Sequence, residues 1–295
     1  MSTVALQGRA PRRPRYRLRR NLTEAAAVAF ALVLMVWTLA QIYNMVAVAL
    51  ERHGDVFTNN VWPEHPTLKG FWIVLSEGYW YLQYFWHQFG NSIYIGAATT
   101  FITLLIGSLA SFSIGRMRLK NGWIVSNAAL LTYVIPASFL AIPFYSIMIK
   151  YGLANNLWAV IFAEVTFATP YAIFIFHQYG VSIPIELDEA ARIDGASPLQ
   201  VYRRIYLPLM APALVAVGTY ALLLAWNEYL YQFMLLSSTR SMTVPVALAQ
   251  FLNSDEAPWN YMMATAIVYA IPPVAIYYVF RRRMSAGLTM GGVKG

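Results

Sequence analysis

The chain has 295 residues, of which 59% are hydrophobic, 15% aromatic and 12% charged, about half the charge content of an average soluble domain. This composition excludes a water-soluble globule, and the density of aromatic rings excludes a disordered chain. Cysteine is absent and the net charge is +8, so disulfide frameworks, thiolate metal sites and thiol catalysis drop out together.

Apolar runs of about 20 residues are long enough to cross a hydrocarbon core about 30 Å thick as helices. Six occur, near 25–48, 92–114, 123–148, 157–177, 209–236 and 258–280. Helices are required because lipid offers no partner for backbone N–H and C=O groups, and the runs lack the alternation of barrel strands. The expected fold is an all-α integral membrane bundle of six transmembrane helices. Pro136, Pro143, Pro170, Pro212, Pro272 and Pro273 fall in or beside these runs and predict modest kinks.

The Lys and Arg residues distribute as 7 before the first run, then 2, 3, 1, 3, 1 and 4 in successive connections, so alternate segments carry 17 against 4. The positive-inside rule then predicts a multi-pass membrane protein with both termini cytoplasmic. Residues 1–24 form a basic arm with Arg9, Arg12, Arg13, Arg15, Arg17, Arg19 and Arg20. An apolar span follows directly, so the arm is read as a topology anchor beside anionic lipid and not as a nucleic-acid contact. The run at 25–48 exceeds a signal-peptide core and is expected as a retained first helix. Residues 49–86 form a periplasmic segment. Across 51–91, Trp62, Phe71, Trp72, Tyr79, Trp80, Tyr81, Tyr84, Phe85 and Trp86 suit an interfacial belt, with a sugar-stacking platform as the sharper alternative.

The longest inner connection is SIPIELDEAARIDGASPLQVYRRIYLP, residues 182–208. Pro184, Glu186 and Asp188 suit a helix start, and Gly195 a helix stop. Ser197, Pro198 and Gln200 then spell a capping box. Two short helices joined at glycine are predicted. Leu199, Tyr202, Ile205 and Tyr206 form an apolar stripe on the second, while Leu187, Ala190, Ala191 and Asp194 share a side of the first, where small residues admit a close approach. A cytoplasmic protein partner or packing against the chain's own bundle both satisfy this geometry.

Glu189, Ala190 and Ala191, then Gly195, then Ile205, Leu207 and Pro208 resemble the EAA signature of ABC-importer permeases. Asn91 and Ser92, AWNE at Ala225 to Glu228, and GLTMGGVKG at Gly287 to Gly295 extend the likeness to the carbohydrate-uptake branch and its smaller maltose-permease type. The resemblance covers about 87–295; residues 1–86 match only in layout. It implies a type I (MetI-like) permease domain over 87–280 and a cytoplasmic tail over 281–295. It also implies four companions: a second homologous permease, a cytoplasmic ATPase dimer, an external substrate-binding protein and membrane lipid. The seven signature residues become ATPase-coupling residues, with Glu189 and Gly195 foremost. Asp255 and Glu256 would face the binding protein, and Gly291 to Gly295 would reach the ATPase.

The chain should not be an enzyme itself. A phosphate-binding loop needs a Gly–Lys pair, and none of Lys69, Lys120, Lys150 or Lys294 follows glycine. His53, His65, His87 and His177 are scattered, with no HExxH. No cofactor is expected here; ATP and Mg would bind the partner ATPase. Two acids, Glu164 and Glu228, fall inside predicted spans, where an ionised group requires a partner or a wet cavity. With Trp226 and Asn227 they are the candidates for a substrate pathway. Intramembrane carboxylates also suit an ion-coupled secondary transporter, against which stand the EAA loop and the lack of an inverted repeat.

Overall fold

The computed structural model describes residues 14–55, 60–117, 119, 121–253 and 258–289. Asp255, Glu256, Gly291 to Gly295 and the first 13 residues of the basic arm lie outside the described residues. Among the described residues, four helical stretches are long and apolar enough to cross a membrane alone: Asn21–Leu50, Trp80–Gly115, Leu157–Val181 and Trp259–Arg281. Two more crossings arise only if each of two sharply bent helix pairs counts as one.

Helix α1 (Pro14–Leu50) leaves residues 21–44 exposed along their whole length. Only its end is held, where Ala47 and Ala49 are buried against α2 (Lys69–Leu75) and α13 (Trp259–Thr289). Gly70 makes that junction possible, because a Cβ there would stand 3.1 Å from the Ala49 carbonyl oxygen.

The organising element is α3 (Phe85–Gly115). Its buried face carries Ser92, Gly96, Thr99, Thr103, Gly107, Ser108 and Ser111, small residues that let neighbouring backbones approach closely where lipid gives no hydrophobic drive for association. Two helices use this face, α6 (Leu157–Val181) and α10 (Ala211–Asn227). A Cβ at Gly107 would fall 2.8 Å from that of Ala172 on α6, and one at Gly96 would fall 3.0 Å from Leu222 on α10.

The third apolar run, expected as one helix over 123–148, is instead two. Helix α4 (Gly122–Leu131), with a final tight turn, and α5 (Ala137–Lys150) meet at 95°. The break falls at Ile135–Pro136. Proline forces its predecessor into extended geometry, and Ile135 adopts φ −90°, ψ 119°. The modest kink expected at Pro136 is therefore corrected to a near right angle, whereas the helices continue through Pro143, Pro170, Pro272 and Pro273.

After α6 the chain forms α7 (Glu186–Ile193) and α8 (Pro198–Val201). It continues through a wide π-type turn, Tyr202–Tyr206, into α9 (Leu207–Leu209). A 78° bend then leads into α10. The fifth expected span is also interrupted, at Glu228, before α11 (Leu230–Leu235). Helix α12 (Val244–Gln250) precedes α13.

Candidate functional site

The 182–208 connection folds as its punctuation predicts. Gly195 takes φ +83°, a left-handed value that costs a side-chain-bearing residue about 1–2 kcal/mol. Gln200 N–H donates to Ser197 Oγ (3.4 Å) and Ser197 N–H to Gln200 Oε1 (2.7 Å), completing the capping box. Pro184 stands two residues ahead of α7; the expected place in the first turn is taken by Glu186.

Asp188 departs from its expected role as a dipole partner. It is 1% exposed and lies 3.5 Å from the guanidinium of Arg116, itself 5% exposed, just past the end of α3. Arg116 Nη2 also donates to the carbonyls of Gly180 (3.1 Å) and Ile183 (2.8 Å), and Arg192 donates to the Arg116 carbonyl (3.3 Å). One buried cation thus ties together the end of α6, the link to α7 and α7 itself. Sequence reasoning missed this group, because Arg116 registered only as a topology charge and its partner lies 72 positions away.

The second arm is fastened to the same helix. Tyr202 and Ser108 hydroxyls meet at 2.7 Å, Tyr206 and Ser111 at 2.8 Å, and Phe112 stands edge-on to both tyrosine rings. The expected stripe divides accordingly. Tyr202 and Tyr206 are buried, whereas Leu199 is exposed and Ile205 half-buried.

The hairpin's opposite side faces outward. Leu187, Glu189, Ala190, Gly195 and Pro208 are exposed, Ala191 and Leu207 are half-buried, and Ile193 is 86% exposed. Ala191, Asp194, Gly195, Arg204 and Ile205 line a concavity of about 400 Å³ between the two arms.

A second site forms at the break in the fifth run. Glu228 leaves helical geometry (ψ 136°), and its carboxylate accepts from the backbone N–H of Tyr231 (2.8 Å) and Gln232 (3.0 Å), capping α11. Gln232 Nε2 reaches back to the Ala225 carbonyl (3.0 Å), satisfying an acceptor that the break sets free. Its Oε1 accepts from the Thr243 hydroxyl. Glu164, on α6, is 1% exposed, and its Oε1 has no hydrogen-bond partner. Glu164 and Glu228 line one cavity of about 360 Å³, together with Tyr133, Phe167, Tyr220 and Tyr231. The two acids expected inside separate spans are thus brought together.

Trp226 and Asn227 are not among the residues lining that cavity. Trp226 is buried and stacked on Tyr269 (centroids 4.6 Å apart), whose hydroxyl donates to the Trp226 carbonyl. Asn227 is exposed and donates to the Leu223 carbonyl. The Asn91 and Ser92 pair acquires a physical account. Asn91 Nδ2 donates to the carbonyls of Arg240 (3.0 Å) and Met242 (2.9 Å), and Ser92 Oγ accepts from Val244 N–H (3.2 Å). With Gln88, which donates to the Thr239 carbonyl, they pin the segment before α12 to the start of α3. The expected interfacial belt is mixed. Trp62, Trp72, Trp80 and Trp86 are exposed, but Phe85 is fully buried among Trp226, Phe251 and Tyr269. Among the described residues no three His, Cys, Asp or Glu gather as a metal site.

The trehalose transport system permease protein SugB of Mycobacterium tuberculosis is 37% identical over 207 residues, covering 70% of this chain and 76% of its own. The arabinooligosaccharides transport system permease protein AraQ of Halalkalibacterium halodurans is 31% identical over 256 residues, covering 85% and 90%. Among solved structures, a chain of a bacterial ABC transporter that imports the acidic polysaccharide alginate superposes with a TM-score of 0.76 at 20% identity, covering 92% of this chain and 99% of that one. The methionine transporter MetNI gives a TM-score of 0.53 at 20% identity, covering 73% and 96%. Residues 107–289 match the family described as binding-protein-dependent transport system inner membrane component, and the chain belongs to that family.

Proposed function

We propose that this chain is the permease subunit of an ATP-binding-cassette importer that carries a carbohydrate across the bacterial inner membrane. The observation that carries this reading is the two-sided hairpin. One side is locked to α3 through Arg116, Asp188, Tyr202 and Tyr206, and the other presents Leu187, Glu189, Ala190 and Gly195 outward. A separate ATPase gripping the outward side would move α3 with it. ATP and Mg belong to that partner, and this chain contributes the element with two arrangements whose populations the ATPase and the delivered substrate bias in opposite directions. Family membership and the hairpin weigh against ion-coupled secondary transport.

Carbohydrate as the cargo is supported by relatives named for trehalose and arabinooligosaccharide transport. The basic-residue count supports cytoplasmic termini and a cytoplasmic hairpin. The exposed length of α1 suits lipid and a second permease, and an external binding protein completes the assembly. Glu164 and Glu228 are assigned to the substrate pathway, with Asn227 and Trp226 shaping the helix break beside it.

The test is copurification with an ATPase and a second permease, followed by substrate-stimulated ATP hydrolysis in vesicles. Glu189→Ala and Gly195→Val should insert normally and lose stimulation; wild-type stimulation in both variants would refute the coupling role.

A further inference from the structure

Two interrupted helices meet at the Glu164–Glu228 cavity. Ile135, Pro136 and Ala137 bring the break between α4 and α5 to its wall, and Glu228, Leu230 and Tyr231 bring the break between α10 and α11. The walls are tied across these breaks: the Tyr231 hydroxyl donates to the Ala137 carbonyl (2.7 Å), and the Tyr133 hydroxyl to the Phe167 carbonyl of α6. Tyr133, Phe167, Tyr220 and Tyr231 contribute aromatic surface, and the volume, about 360 Å³, lies near the lower end of the range for small-molecule sites. Glu164 lines this space, is buried, and keeps Oε1 without a hydrogen-bond partner. No Lys, Arg or His lines the cavity, and Glu228 shares it. A carboxyl buried in this way, with no cation beside it and a second acid nearby, holds its proton. It then presents an O–H donor and an acceptor oxygen side by side. Glu228, by contrast, is engaged by the backbone N–H groups of Tyr231 and Gln232.

We propose that this cavity is a sugar-ring subsite, in which the neutral carboxyl of Glu164 reads a pair of neighbouring hydroxyls and the aromatic walls take the C–H faces of the ring. A hydroxyl both donates and accepts, so two adjacent ones match the O–H and the acceptor oxygen of the acid in one two-bond contact. The C–H faces of the same ring are apolar and leave water against the aromatic surface. A buried polar oxygen is costly to hold without a donor, and the sugar supplies one to Oε1. Hydroxyl-rich rings with an apolar face are thus the ligand class. This inference rests on the chain being the permease of a carbohydrate importer.

The importer is reconstituted in vesicles with its companion subunits and external receptor, and radiolabelled trehalose, glucose and arabinotriose are offered in turn. The sugar that the wild type takes up is then followed in the variants. Glu164→Leu removes both hydrogen-bonding atoms and should cut uptake about tenfold. ATP hydrolysis stimulated by the loaded receptor should stay near the wild-type rate, which a folding defect would not allow. Glu164→Gln keeps a donor and an acceptor without a titrating group and should hold uptake within about twofold of wild type. Tyr220→Leu keeps bulk but loses the flat ring; it should lower uptake with normal stimulation, and it decides the matter should Glu164→Leu fail to insert. The proposal is overturned if the inserted variants transport as the wild type does, or if stimulation falls together with uptake. It is equally overturned if Glu164→Gln falls as far as Glu164→Leu, the mark of an acid that works by ionising. Wild-type uptake of none of the three sugars would sink the carbohydrate reading and the subsite with it, whereas wild-type uptake that Glu164→Leu leaves untouched sinks the subsite alone.

Discussion

Two buried carboxylates receive opposite treatment in this bundle. Asp188, in the hairpin, faces a guanidinium at 3.5 Å, an ion pair in which neither carboxylate oxygen takes a hydrogen bond. Glu164, in α6, is equally buried and lacks a partner for one oxygen. The first neutralises its charge inside the chain and so fixes one geometry. The second has no cation beside it and shares its cavity with Glu228. The two acids differ in whether the chain itself places a cation beside them.

The contrast can be broken at its strongest point first. Arg116→Ala should destabilise the protein by about 3–5 kcal/mol, because the Asp188 charge is left buried and alone. Thermal unfolding in detergent would measure it, and Arg116→Met with Asp188→Leu should recover much of the loss. Glu228→Ala removes the cap of α11 and should cost about 1–2 kcal/mol, read as earlier proteolysis near the break. Tyr206→Phe deletes one hydroxyl of the Ser111 pair and should cost about 1 kcal/mol, read by the same melt. Smallest of all, Glu164→Gln should leave the melt within about 0.5 kcal/mol of wild type or raise it. A large loss of stability there would make Glu164 a structural acid like Asp188 and erase the distinction.

Much of this architecture can be read without coordinates where the cause is local. Ser197, Pro198 and Gln200 carry their cap in three residue types, and Gly195 its left-handed turn in one. Apolar length alone marks four helices long enough to cross, whereas the runs at 123–148 and 209–236 break. The failures share a different cause. Pro136 marks a break, but the 95° angle depends on the seating of α5 against α11 and α6. Arg116 and Asp188 belong to segments whose pairing no spacing rule relates. Convergence of Glu164 with Glu228 likewise required α6 and the α10–α11 break to meet. Trp226, grouped with those acids by adjacency in the chain, is packed instead with Phe89 and Tyr269 because successive helical residues point about 100° apart.

Helix α3 is pinned twice: Gln88, Asn91 and Ser92 clasp the 239–244 strap, and Ser108, Ser111 and Arg116 clasp the hairpin. About 24 Å of continuous helix, from Ser92 to Ser108 at 1.5 Å per residue, separates the two clasps. Such a strut resists stretching, so a push on one clasp arrives at the other as tilt and shift of a rigid lever. The opposite faces of the molecule are therefore geared together through a single rod.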